Sequence, residues 1–115
     1  MRFFITLVAV SLNIGCGSFR QHRPEISVTY QTGLANGQPI WISSNEELPA
    51  KALVHATLIN QLDIAHGFEV AGLQGPVVLQ PGDTQLVNFN TKGPGTLHAT
   101  CPLHKNHKPA ILHVN

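Results

Sequence analysis

From about residue 25 onward, turn-forming residues cut the chain into short apolar runs, and this punctuation constrains the fold more than any other feature of the sequence. The separators fall at 33–37, 45–49, 72–75, 81–83 and 92–95, each built from Gly, Pro, Asn or Asp. Runs broken roughly every 8–12 residues are too short for ordinary helices and suit an all-β sandwich of Greek-key type. The pattern predicts strands at 26–31, 39–43, 53–60, 67–70, 77–79, 85–90, 95–101 and 110–114. Alternation assigns their faces: Val54, Ala56 and Leu58 fall on one side of their strand, and Leu97, Ala99 and Cys101 share one side of theirs. Residues 46–53 have the composition to begin a helical turn, which Pro49 would limit.

The first stretch stands apart from this domain. Arg2 precedes a largely apolar run, which reads as a secretory signal over residues 1–16, too short for a permanent bilayer span. A buried N-terminal helix is the rival reading, and Gly15, Gly17 and Pro24 argue against it. Cys16 closes the signal in a place that resembles a bacterial lipobox, where the Cys becomes an acylated first residue. Asn13 stands where a lipobox prefers Leu, so lipidation and plain cleavage both stay open. Either outcome leaves Cys101 without a disulfide partner in its own chain. Residues 17–24 then form a polar linker and 25–115 a single domain, exported to the periplasm or the cell surface.

Charge narrows the partners. The chain has seven basic and six acidic side chains, and loss of Arg2 with the signal leaves six of each. No basic stripe or Arg cluster is present, which argues against nucleic acid. Paired carboxylates, phosphate loops and Ser/His/Asp nucleophile motifs are also missing from the sequence, so hydrolytic and phosphoryl-transfer chemistry have no support.

Seven histidines are more than packing needs in so short a chain, and four of them follow His66. Cys101, His104 and His107 are spaced at intervals of three inside a short loop between two strands, so their side chains can converge. His66 lies 35 residues before Cys101, at the start of another strand that a sandwich can bring to the same end. One thiolate and three imidazoles suit a metal ion, and softness alone leaves copper, zinc and iron open. An early His followed by a Cys–His–ligand loop before the last strand favours a single copper ion, with structural zinc the alternative. His98 and His113 point away from the Cys101 face, and His22 and His55 lie elsewhere; none of these is assigned to the metal.

Several motifs together resemble the cupredoxin family: His66-Gly67-Phe68-x-Val70, Val77-Val78-Leu79-Gln80-Pro81-Gly82-Asp83-Thr84, Phe89, Gly93-Pro94-Gly95-Thr96 and the Cys101 loop. The likeness spans residues 53–114. The Cys-x-x-His-x-x-ligand spacing is similar to that of amicyanin-like members. The tail from His107 to Val114 is similar to nitrosocyanin, a red copper protein in which Glu stands where His66 stands here. The resemblance implies a mononuclear copper site on His66, Cys101, His104 and His107, with His107 in the axial place commonly held by Met. It also implies that His104 presents a ring edge for electron exit, and Ala99 replaces an aromatic residue usual near the ligand Cys. Asn60 is placed either to tie the two ligand loops together through hydrogen bonds or to serve in a simple turn.

The expected function is therefore a one-electron carrier rather than an enzyme, with an unidentified redox protein as partner. Pro102, Leu103 and Pro109 would supply an apolar docking patch, with Lys105 and Lys108 steering an acidic surface. Copper capture, delivery or stress buffering without electron transfer is the alternative, and a nitrosocyanin-like reaction on a small molecule a third reading.

Overall fold

The computed structural model describes residues 23–115; the signal read over 1–16, Cys16, His22 and most of the 17–24 linker lie outside the described residues. Among the described residues nine strands occur: β1 Glu25–Ala35, β2 Gln38–Ser43, β3 Glu47–Leu48, β4 Leu53–Ile59, β5 His66–Val70, β6 Gln74–Leu79, β7 Thr84–Asn90, β8 Gly95–Thr100 and β9 Ala110–Val114. One sheet has the order β2-β1-β4-β7 and the other β3-β9-β8-β5-β6. The chain changes sheet after β2, β3, β4, β6 and β7, giving the expected two-layered sandwich. Both sheets are mixed, since β1 runs parallel to β4 and β3 runs parallel to β9.

Alternating burial builds the core. Val54, Ala56 and Leu58 of β4 are buried, as are Val28 and Tyr30 of β1, Phe89 of β7 and Ala99 of β8. The opposite faces carry exposed side chains such as Leu86 and His98. Aromatic rings bridge the layers: Tyr30 lies 5.0 Å from Phe68, and Trp41 meets Phe68 edge-on at 5.4 Å.

Three boundaries differ from expectation. The break placed at 33–37 is confined to Asn36-Gly37, whose φ angles of 53° and 78° make the two-residue hairpin turn that Asn-Gly favours. Gly33 therefore stays in β1, opposite Ile40 of β2. The helical turn allowed at 46–53 does not form; Glu47 and Leu48 instead pair with His113 and Val114. β6 begins at Gln74 rather than at residue 77, because Gln74 still pairs with Val70 across a register shift.

His55 supports the parallel β1–β4 pair from outside. Its Nε2 lies 2.8 Å from Glu25 Oε1 and its Nδ1 3.0 Å from Asn88 Oδ1. The Glu25 hydrogen bond, with help from Asn88, raises the imidazole above its ordinary 6.5. A raised His favours the folded state fully below 6.5, and that contribution fades as pH rises through the folded value. An NMR titration should give His55 a midpoint above 6.5 that falls back toward it in Glu25→Gln.

The two faces also differ in what truncation costs. Leu58→Ala, which empties a fully buried site, should lower unfolding free energy by about 2–5 kcal/mol. Leu86→Ala, at a side chain 74% exposed, should change it by less than about 0.5 kcal/mol in the same denaturant titration.

Candidate metal centre

Two segments from separate places in the chain meet at one pole of the sandwich. The 60–65 loop leaves β4 in one sheet and delivers His66 to the start of β5 in the other. Cys101 directly follows β8, which pairs with β5 through Ala99–Val70 and Thr100–Glu69. A turn closed by the His107 N–H on the His104 carbonyl (3.3 Å) folds the loop back on itself. The loop then seats on the edge of β2: Trp41 N–H donates to the Lys108 carbonyl at 3.3 Å, and Lys108 N–H to the Pro39 carbonyl at 3.0 Å.

This folding brings His66, Cys101 and His107 together, with one donor atom from each lying within 4.8 Å of the others. All three are buried, His66 completely. His66 Nδ1 and His107 Nδ1 are 3.0 Å apart. The Gly67 N–H donates to Cys101 Sγ at 3.2 Å. Cys101 is a free thiol. His104 stands beside this group, its ring centroid 4.9 Å from that of His66. It is half-buried, with Nε2 2.8 Å from the Ala65 carbonyl. A carbonyl only accepts, so a neutral His104 carries its proton on Nε2 and keeps the Nδ1 lone pair free.

The arrangement fits a cation. Donors about 2.0–2.3 Å from one tetrahedral ion lie about 3.3–3.8 Å apart, so the three donor atoms, all within 4.8 Å of one another, need draw in by only about 1 Å to hold one. His66 Nε2 and His107 Nε2 are buried without a hydrogen-bond partner. Two rings with facing Nδ1 atoms and unpaired Nε2 atoms make a poor hydrogen-bonded pair and a good pair of cation ligands. Burial, then the nearby His104, lowers the pKa of His66. Burial and the His66 charge push His107 down to about 4. Both rings are thus neutral at neutral pH, and no proton competes for their lone pairs.

The structure distributes the supporting roles differently from expectation. Asn60 is fully buried and fully bonded, but not to the Cys101 loop. Its Nδ2 donates to the Ile64 and Leu79 carbonyls, and its Oδ1 accepts from Thr32 Oγ1 and Leu62 N–H. It shapes the 60–65 loop that presents His66. The link between the two ligand segments comes from Gly67 and from His104 on Ala65. His98 is exposed, His113 is half-buried on β9 and His55 lies on the outer face of β4.

Two neighbours of the site escaped the sequence reading. A Cβ on Gly67 would sit 2.8 Å from Pro102 Cδ, so the close approach of β5 to the Cys101–Pro102 corner requires glycine. Trp41 stacks on His107 at 5.5 Å and 20°, and its Nε1 donates to the Gly67 carbonyl at 3.0 Å. The Gly-Phe pair after His66 was a signal for the first; the second had none beyond being the chain's single Trp.

Gly67→Ala should destabilise the fold by about 1–3 kcal/mol through overpacking and shift the NMR signals of Cys101 and Pro102. Gly75→Ala, where a Cβ meets nothing within 4 Å, should leave those signals in place.

No protein-family model and no curated protein matches the chain by sequence. Solved structures do match in shape. A multicopper oxidase is similar at a TM-score of 0.60 and 14% identity, over 80% of this chain and 44% of that one, so the chain spans less than half of its length. A rusticyanin variant is similar at 0.60 and 15% identity, over 83% of this chain and 80% of the other. A crystal structure of the mixed disulfide between a thioredoxin-like protein and subunit II of cytochrome c oxidase matches at 0.57 and 10% identity, covering 85% and 87%. At such identities the likeness establishes the fold, a cupredoxin-like β-sandwich.

Proposed function

We propose that the chain binds one copper ion through His66, Cys101, His104 and His107 and serves as a one-electron carrier. The observation that carries this reading is the burial of an imidazole–thiol–imidazole group at the pole of a cupredoxin-like sandwich. Copper held there supplies a single-electron step between Cu(II) and Cu(I). Cys101 contributes the thiolate, oriented by the Gly67 N–H. His66 and His107 contribute neutral imidazoles fixed by burial. His104, beside this group, would complete the set through its Nδ1, left free because Nε2–H donates to the Ala65 carbonyl, and that bond ties it to the 60–65 loop.

Closure of the group from solvent favours a carrier over copper delivery or an open enzymatic site, because delivery needs a labile ion and catalysis an open position. Leu103 and Pro102 are exposed next to His104 in the chain, and exposed Leu34 and Ile64 line a pocket that reaches His66. We assign this rim, with Lys105 and Lys108, to an acidic redox protein. Export and a Cys16 anchor would suit the geometry: Glu25 and the Asn36-Gly37 turn lie at opposite ends of the 11-residue β1, roughly 35 Å of strand. A tether entering at Glu25 would hold the metal pole away from a membrane.

An imidazole from His107, in place of a thioether, would bind Cu(II) more strongly, weaken its bond to the Cys101 thiolate and lower the reduction potential. The Cu(II) form should be red or green rather than blue, and His107→Met should shift the visible spectrum toward blue and raise the potential in voltammetry. Cys101→Ser should abolish the charge-transfer bands altogether. Metal analysis of protein isolated from its own compartment, with its visible spectrum, tests the whole reading; a colourless zinc protein would overturn it. Rapid reversible electrode reduction is the result expected of a carrier, and ready loss of copper to an acceptor would point to delivery instead.

A further inference from the structure

Trp41 touches both halves of the site without being a ligand. Its indole lies nearly parallel to the His107 ring, 5.5 Å between centroids and 20° between planes. Its Nε1–H donates to the Gly67 carbonyl at 3.0 Å, one residue from His66 and on the residue whose N–H reaches Cys101 Sγ. Its backbone N–H holds the loop exit at Lys108. The side chain is 4% exposed and is wedged edge-on against Phe68, so it has little room to reorient.

We propose that Trp41 is the positioning residue of this centre, setting the ring plane of His107 and the separation between the His66 and Cys101–His107 segments. The consequence for copper rests on the reading above; the contact itself does not. Without a partner at Nε2, His107 has no hydrogen bond on that side to fix its plane. A stacked aromatic face supplies that restraint, because a tilted imidazole would clash with the indole. Indole also has one donor and no acceptor, and a buried donor needs a fixed partner, here the Gly67 carbonyl. A side chain offering both a wide stacking face and one N–H is specific to tryptophan. Phenylalanine would keep part of the stack and lose the tie to Gly67; leucine would lose both.

The test uses wild type, Trp41→Phe, Trp41→Leu and Leu58→Ala, the last a core truncation on β4, outside β2, β5 and the Cys101–Lys108 loop. In metal-free protein, the His107 ring-proton NMR shifts should move strongly in Trp41→Leu, less in Trp41→Phe and little in Leu58→Ala. On copper addition, Trp41→Leu should bind Cu(II) about 10–100-fold more weakly, as loss of a partner that orients a ligand typically does. Trp41→Phe, which keeps an aromatic core, should fold and show altered Cu(II) EPR hyperfine splitting and visible bands, whereas Leu58→Ala should keep the wild-type spectrum. His107 shifts that move no more in the Trp41 variants than in Leu58→Ala would overturn the proposal. So would an unchanged EPR spectrum in Trp41→Phe. If Trp41→Leu fails to fold, Trp41→Phe decides alone. A wild-type chain that takes up no copper would sink the copper reading, while the metal-free shifts would still decide the role of Trp41.

Discussion

The contact between Gly67 and the Cys101–Pro102 corner is the constraint on which the centre depends. β5 and the ligand loop belong to parts of the chain 34 residues apart, and they meet where the Gly67 N–H reaches Cys101 Sγ. The proline ring then occupies the space a Cβ would need. This approach sets how far His66 stands from Cys101, since the two flank the same peptide. The sheet register reinforces it: Ala99 and Thr100 pair with Val70 and Glu69, so the β8 strand delivers Cys101 to the beginning of β5. Backbone pairing thus does the coarse placement, and one hydrogen bond with one missing methyl does the fine placement.

Burial then decides the chemistry. Burial favours the neutral form of both imidazoles, against the opposing charge of Asp63 near His66, so His66 and His107 are held as neutral donors. The unpaired Nε2 atoms are a cost that the fold carries to keep the Nδ1 atoms converging, and each buried unpaired group costs about 1–3 kcal/mol. The surrounding polar groups are handled the other way. Asn60 makes four side-chain bonds, and through them the 60–65 loop is held in one shape. A rigid presenter and unpaired donors are complementary, because a looser loop could let the histidines reach water.

Much of this was legible in the sequence, and the reasons are local. The β4 alternation of Val54, Ala56 and Leu58 has one face that can be buried, and that face is buried. The intervals of three from Cys101 to His107 force a tight loop whatever surrounds it. Where the reading missed, the deciding contact lay far away in the chain. Glu47–Leu48 is a strand because β9 runs beside it, and no two-residue segment advertises that. Gly33 stays within β1 because the turn is made by Asn36-Gly37, and the Ile42 side chain covers the space a Cβ would occupy there. The position of Asn60 allows a tie or a turn role, and its partners depend on where β6 and Thr32 pack, which spacing does not reveal.

Trp41 shows the same limit most sharply, and it shows why the sandwich matters beyond bringing His66, Cys101 and His107 together. The loop exit at Lys108 pairs with the edge of β2 through Ile40, so an edge that would otherwise stand open to other chains is partly occupied by the ligand loop. That pairing is what carries Trp41 into contact with His107. Edge protection and ligand positioning are therefore one structural event. A chain that closed its β2 edge in some other way would leave His107 in a free loop, with only its turn to His104 to hold it. The placement of His107 and the completion of the sheet edge are coupled in this fold, and a change in one has to be accommodated by the other.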